Sequence, residues 1–109
     1  MDVATILLLE PDAALRSFYE SAAEGFGYHA LDGYRLELDE VRDVDAVLLE
    51  PASAWELAVA HALSERRPGL PIVCASSFTT AARELRVVTF LVKPFTLDQL
   101  RRALEAALS

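Results

Sequence analysis

Two stretches of the chain end alike: Thr5-Ile6-Leu7-Leu8-Leu9-Glu10-Pro11 and Asp45-Ala46-Val47-Leu48-Leu49-Glu50-Pro51. In each, an apolar run meets one carboxylate and a proline follows at once. Short apolar runs without alternation suit strands buried on both faces of a parallel sheet. Proline cannot donate to a strand ladder, so each strand ends where its acid stands. Two carboxylates at the ends of neighbouring strands would face one pocket, and they repel unless a cation offsets them. Lys93, the only lysine in the chain, follows a further apolar run in Thr89-Phe90-Leu91-Val92-Lys93-Pro94-Phe95. Ser76 ends another, in Leu70-Pro71-Ile72-Val73-Cys74-Ala75-Ser76.

The stretches between these runs must position them, and they read as helices. Asp12 can cap a helix carrying Leu15, Phe18, Tyr19, Ala22 and Phe26 at helical spacing, with Gly25 and Gly27 at its stop. Tyr28-His29-Ala30-Leu31 is a weaker strand. The segment from Gly33 to Val44 is ambiguous: Tyr34, Leu36 and Leu38 alternate, while its second half suits a turn or two of helix. Trp55 to Arg66 is helical and ends at Pro68-Gly69, and Pro71 to Ala75 is the fourth run. Thr79 or Thr80 can cap a short helix through Leu85, before the fifth run from Val87 to Val92. Thr96 caps a last helix with Leu97, Leu100, Leu104 and Leu108 on one stripe. Five alternations of strand and helix predict an α/β, doubly wound parallel sheet. In the flavodoxin-like order 2-1-3-4-5, strands one and three are neighbours at the switch point, so Glu10 and Glu50 share the pocket where ligands bind.

Composition excludes several classes of function. A length of 109 residues favours one domain, residues 1–109. The formal net charge of −7 opposes nucleic-acid binding through phosphate contacts. No apolar run reaches the ~20 residues of a membrane span, and no leader is visible. Cys74, alone inside an apolar run, reads as a buried thiol in a reducing compartment, which suggests a cytoplasmic protein. His29 and His61 have no second His or Cys at ligand spacing, and Glu65 is the i+4 partner of His61. Ser76 and Ser77 lack the glycine-flanked elbow of a hydrolase, and no glycine-rich phosphate loop exists. No cofactor is expected. The helix with Trp55 is apolar nearly all round, and Leu57 and Ala60 are expected to lie away from Val59 and Leu63, predicting self-association.

The motifs together resemble, in order, those of the receiver domain of two-component response regulators, over nearly the whole chain. The resemblance puts Glu10 on the first acid position, Glu50 on the phosphoacceptor position, Ser76 on the Thr/Ser position, Phe90 on the aromatic switch and Lys93-Pro94 on the active-site lysine motif. It implies a cis Lys93–Pro94 peptide. The departures are as informative. Pro11 stands where the family has a direct metal ligand, and Asp12, one residue late, is better explained as a cap. Glu50 replaces an aspartate. The stretches holding the second and fourth of five helices are each several residues short, so those helices should be reduced. Phosphoryl transfer needs an in-line nucleophile and a divalent cation. Here one ligand is gone and the acceptor reaches about 1 Å further, an offset that can cost ~100-fold in rate. At most a weak magnesium site at Glu10 and Glu50 remains. The expected function is therefore an atypical, degenerate pseudo-receiver: a non-enzymatic, phosphorylation-independent protein-interaction module in signal transduction. Its partner would be a histidine kinase or an output protein. The alternatives are an active phosphoreceiver and a small-ligand-binding domain. Glu50 could imitate the phosphorylated state, or Glu10, Glu50 and Lys93 could be a residual polar cluster.

Overall fold

The computed structural model describes residues 3–35, 43–76, 85 and 87–109. Its elements are β1 (Thr5–Leu9), α1 (Ala13–Gly25), β2 (His29–Asp32), β3 (Ala46–Leu49), α2 (Ala54–Arg66), β4 (Ile72–Ser76), β5 (Val87–Val92) and α3 (Leu97–Leu108). All strand pairs are parallel, in the order β2-β1-β3-β4-β5. This is the flavodoxin-like sheet, with β1 and β3 adjacent as the apolar runs require. The segments expected to hold the shortened second and fourth helices fall on residues 36–42 and 77–84, outside the described residues. Tyr34 lies in a turn after β2 rather than in a strand.

Each helix begins where a side chain can satisfy its free N–H groups. Asp12 Oδ1 accepts from the N–H of Ala14 and Leu15 at 2.9 and 3.1 Å. Ser53 with Glu56, and Thr96 with Gln99, form reciprocal capping boxes. At the end of α1, Gly27 has a φ of 97°, which costs a residue without Cβ little.

The core lies in two layers, one on each face of the sheet. Ile6, Leu8, Leu48, Val73 and Ala75 pack under α1 and α3, against Tyr19, Ala23, Leu100 and Leu104. Leu7, Leu9, Val47, Leu49, Ile72 and Cys74 pack under α2, against Ala60 and Leu63. Strands β1, β3 and β4 are buried on both faces, as their continuous apolar runs predict. Strand β5 is not: Val88, Phe90 and Val92 are exposed. It is an edge strand, so neighbouring elements enclose it less fully.

Helix α2 corrects a second expectation. Ala60 and Leu63 are buried together, and Leu57 and Val59 both pack on the same cluster. They line one face about 160° wide, which leaves Trp55 and Ala58 outside it. The expected separation of Leu57 and Ala60 from Val59 and Leu63 is therefore not observed, since all four pack on one cluster.

Burial of Cys74 makes stability depend on alkaline pH. Its thiol is pushed from 9.0 up to about 11, by burial first and then by the Glu50 carboxylate. The Tyr19 phenol is pushed from 10.0 to about 12, by burial and then by Glu10, Glu50 and Asp12. Both protons are held more tightly in the folded state. Their stabilising contribution is intact below pH 9 and is lost as pH rises through about 11 to 12. For Cys74 the loss is on the order of 2 kcal/mol. Thermal melts at stepped pH should show a falling Tm above pH ~9. Cys74→Ala should start lower, because it leaves a cavity, and fall less steeply.

Candidate functional site at the carboxyl edge of the sheet

The strand ends bring four of the expected site residues into one row. Glu10 follows β1, Glu50 follows β3, Ser76 is the last residue of β4 and Lys93 follows β5. Backbone bonds prolong the ladders into the site: the Glu50 N–H donates to the Leu9 carbonyl at 2.9 Å, and the Lys93 N–H to the Ser76 carbonyl at 3.1 Å. The Lys93–Pro94 peptide is cis, as the motif implies. The Lys93 side chain reaches across the row. Its Nζ lies 2.5 Å from Glu10 Oε1 and 3.7 Å from Glu50 Oε1. The first contact is a charge-assisted hydrogen bond, while the second is an ion pair beyond hydrogen-bond length.

Glu10 is the deepest of the three, only 2% exposed. Its second oxygen, Oε2, accepts from the Asp12 N–H at 3.1 Å, so both its oxygens are used. Glu50 and Lys93 have side chains 18% exposed. Glu50 Oε2 is buried and has no hydrogen-bond partner among the described residues. Two carboxylates thus share one ammonium; burial first, and then the charge of these carboxylates, holds the Tyr19 and Cys74 protons more tightly.

The remaining expected positions lie at the rim or elsewhere. Asp12 is exposed and caps α1, and Pro11 is exposed beside it. Pro94 joins Leu15, Phe18, Tyr19, Lys93 and Phe95 in lining a groove of about 350 Å³ between α1 and the segment after β5. Tyr19 and Phe95 stack in its wall with centroids 5.9 Å apart. Phe90, 43% exposed, lies on the open face of β5. Ser76 is buried at the end of β4.

A receiver site would call for magnesium, and these residues do not fit it. Mg²⁺ demands near-octahedral oxygen coordination. Pro11 brings no side-chain oxygen, and the Lys93 ammonium stands against both carboxylates that could bind a cation. Among the described residues no group of three or more His, Cys, Asp or Glu converges.

The structure adds residues that motif reading passed over. Arg16 of α1 donates from Nη1 to the Glu10 carbonyl at 2.7 Å, and its Nε pairs with Asp32 at 3.1 Å. The Tyr34 ring stands 4.5 Å from the Arg16 guanidinium carbon and 4.8 Å from the Trp55 ring. The Tyr34 hydroxyl donates to Glu56 Oε2 at 3.1 Å. Glu56 is a buried acid on α2, and the Ser53-x-x-Glu56 capping box was its one visible signal in the sequence. Nothing local marks Arg16 or Tyr34.

The ion cluster yields a direct test. Lys93→Met would leave Glu10 buried and uncompensated, a change that costs about 3 kcal/mol or more. Urea unfolding should show that loss at neutral pH. Adding Glu10→Gln to Lys93→Met should recover much of it, since the buried charge goes with its partner. A single mutant as stable as wild type would show that the pair is solvated.

No family model matches the sequence, and no curated protein matches it significantly. Solved structures do match it in shape. The chemotaxis protein CheY4 of Vibrio cholerae superposes with a TM-score of 0.83 at 17% identity, over 98% of this chain and 100% of that one. A response regulator receiver protein of Sinorhizobium medicae gives 0.77 at 28% identity, over 98% and 95%. An orphan response regulator of H. pylori gives 0.76 at 22% identity, over 97% of each chain. The chain has the fold of response-regulator receiver domains.

Proposed function

We propose that the chain is a single receiver-like signalling domain, residues 1–109, that works without phosphoryl transfer, as a protein-interaction module. The observation that carries this reading is the Lys93 ammonium, 2.5 Å from Glu10 and 3.7 Å from Glu50. An internal cation already neutralises part of the acid pair that phosphoryl chemistry would need to neutralise with a metal. Pro11 and the longer Glu50 side chain point the same way. The spacing also favours a residual polar cluster over imitation of the phosphorylated state. Such imitation needs Lys93 bonded to Glu50, yet its hydrogen bond goes to Glu10. In this reading the domain is not an enzyme. It presents surfaces to a signalling partner, a histidine kinase or an output protein, in the cytoplasm.

A second reading, a weak phosphoreceiver or small-ligand site, rests on Glu50 Oε2. That buried acceptor has no hydrogen-bond partner among the described residues. A donor or cation there would satisfy it.

Phosphoryl transfer separates the two. The protein is treated with acetyl phosphate and Mg²⁺, and the intact mass is measured. Wild type and Glu50→Asp should both remain unmodified, because the cation still lacks a ligand at Pro11. Only Pro11→Asp combined with Glu50→Asp should gain a base-labile phosphoryl adduct. An adduct on wild type, or on Glu50→Asp alone, would overturn the phosphorylation-independent reading.

A further inference from the structure

We propose that the turn after β2 is a closed strap that seals Glu10 from solvent, and that the Tyr34–Glu56 hydrogen bond is its latch. The proposal rests on the reading of the acid pocket as a closed site and adds the device that closes it. The sheet order puts β1 between β2 and β3, and the Gly33 N–H bonds to the Leu8 carbonyl, so a contact from the β2 turn to α2 starts beside the end of β1, where Glu10 stands. Such a contact exists. Arg16 comes from α1 on one face of the sheet and Trp55 and Glu56 from α2 on the other; Tyr34 touches all three.

The anchoring is specific at each end. Arg16 is tied to the Glu10 carbonyl at 2.7 Å and to Asp32 at 3.1 Å. Tyr34 is held by its own N–H, which donates to Asp32 Oδ1 at 2.9 Å, and by its hydroxyl on Glu56. Glu56 is fixed in turn, because its Oε1 accepts from the Ser53 N–H at 2.8 Å. Gly33 lets the turn rest on β1 itself. Its N–H donates to the Leu8 carbonyl at 2.9 Å, and a Cβ there would lie 2.7 Å from that oxygen and 2.5 Å from Leu9 Cδ2. The Tyr34 hydroxyl proton is held tightly, raised by burial first and then by Glu56. The latch therefore stays protonated, and donating, across the physiological range.

The closed strap explains why Glu10 is only 2% exposed although it terminates a strand at a sheet edge that normally opens to ligands. It also leaves an asymmetric site. Glu10 is covered, while Lys93 keeps an outlet on the groove beside Phe18 and Pro94.

The test measures access to Glu10 by carboxyl labelling with a carbodiimide and an amine, mapped by mass spectrometry. Exposed Glu24 serves as the internal standard. Tyr34→Ala should raise the Glu10 rate about tenfold relative to Glu24, the scale of one charged hydrogen bond. Tyr34→Phe keeps the ring, loses the latch and should raise it a few-fold. Emission of Trp55, the single tryptophan, should change in both variants as its ring contact is altered or loosened. Amide exchange at Cys74 in the buried β4 reports global unfolding and should stay slow. If Tyr34→Ala unfolds, Tyr34→Phe decides alone. Unchanged Glu10 labelling in a folded variant would overturn the strap. Labelling reports access and not chemistry, so a wild type that accepted phosphate would sink the functional reading without touching this result.

Discussion

One ammonium group held among two carboxylates at the carboxyl edge of a parallel sheet organises this molecule. Burying a carboxylate as deeply as Glu10 is costly unless the charge is paired and its lone pairs are bonded. Lys93 and the Asp12 N–H satisfy Glu10 together. That pairing fixes the segment after β5 against the end of β1, with two strands between them, and so ties the edge of the sheet to its centre. The capped start of α1, the β2 turn and the start of α2 then close around the same point. A group that would otherwise compete for a cation is held by the chain itself.

In the proposed reading, the charge of the site is set in advance. A receiver that signals through phosphoryl transfer depends on a cation and a donor to change its local charge. Here the charge of the cluster is covalently part of the fold, and the acid pair lacks a third oxygen ligand at Pro11. In the proposed reading, what the domain offers to partners is surface: the groove beside Phe18 and Phe95, and the exposed residues Val88, Phe90 and Val92 of β5.

Much of this was legible in the residues. Unalternating apolar runs marked β1, β3 and β4, because strands buried on both faces have no polar side to show. Asp12 and Thr96 marked helix starts through the N–H groups they must satisfy, while Ser53 was passed over. Glu10, Glu50 and Lys93 were readable because each stands at the end of such a run. The exposure of β5 was not legible, since its run looks like the buried ones and only its place at the edge leaves Phe90 open. The stripe of α2 was misread because alanine is compatible with either side of a helix. Tyr34 and Arg16 were invisible, as the contacts of Tyr34 with Arg16, Trp55 and Glu56 join residues 18 to 22 positions apart that only the sheet order brings together.

The central claim, that Lys93 already occupies the role of the cation, is tested most directly by titrating magnesium. Trp55 fluorescence and Tm are followed in wild type as Mg²⁺ rises to about 10 mM, with and without beryllium fluoride as a phosphoryl analogue. A dissociation constant no tighter than 10 mM would stabilise the fold by at most ~0.4 kcal/mol at that concentration. Neither signal should move beyond that scale, with or without the analogue. A saturable change at sub-millimolar Mg²⁺, strengthened by the analogue, would mean that the cation displaces Lys93 and that the site is a working one.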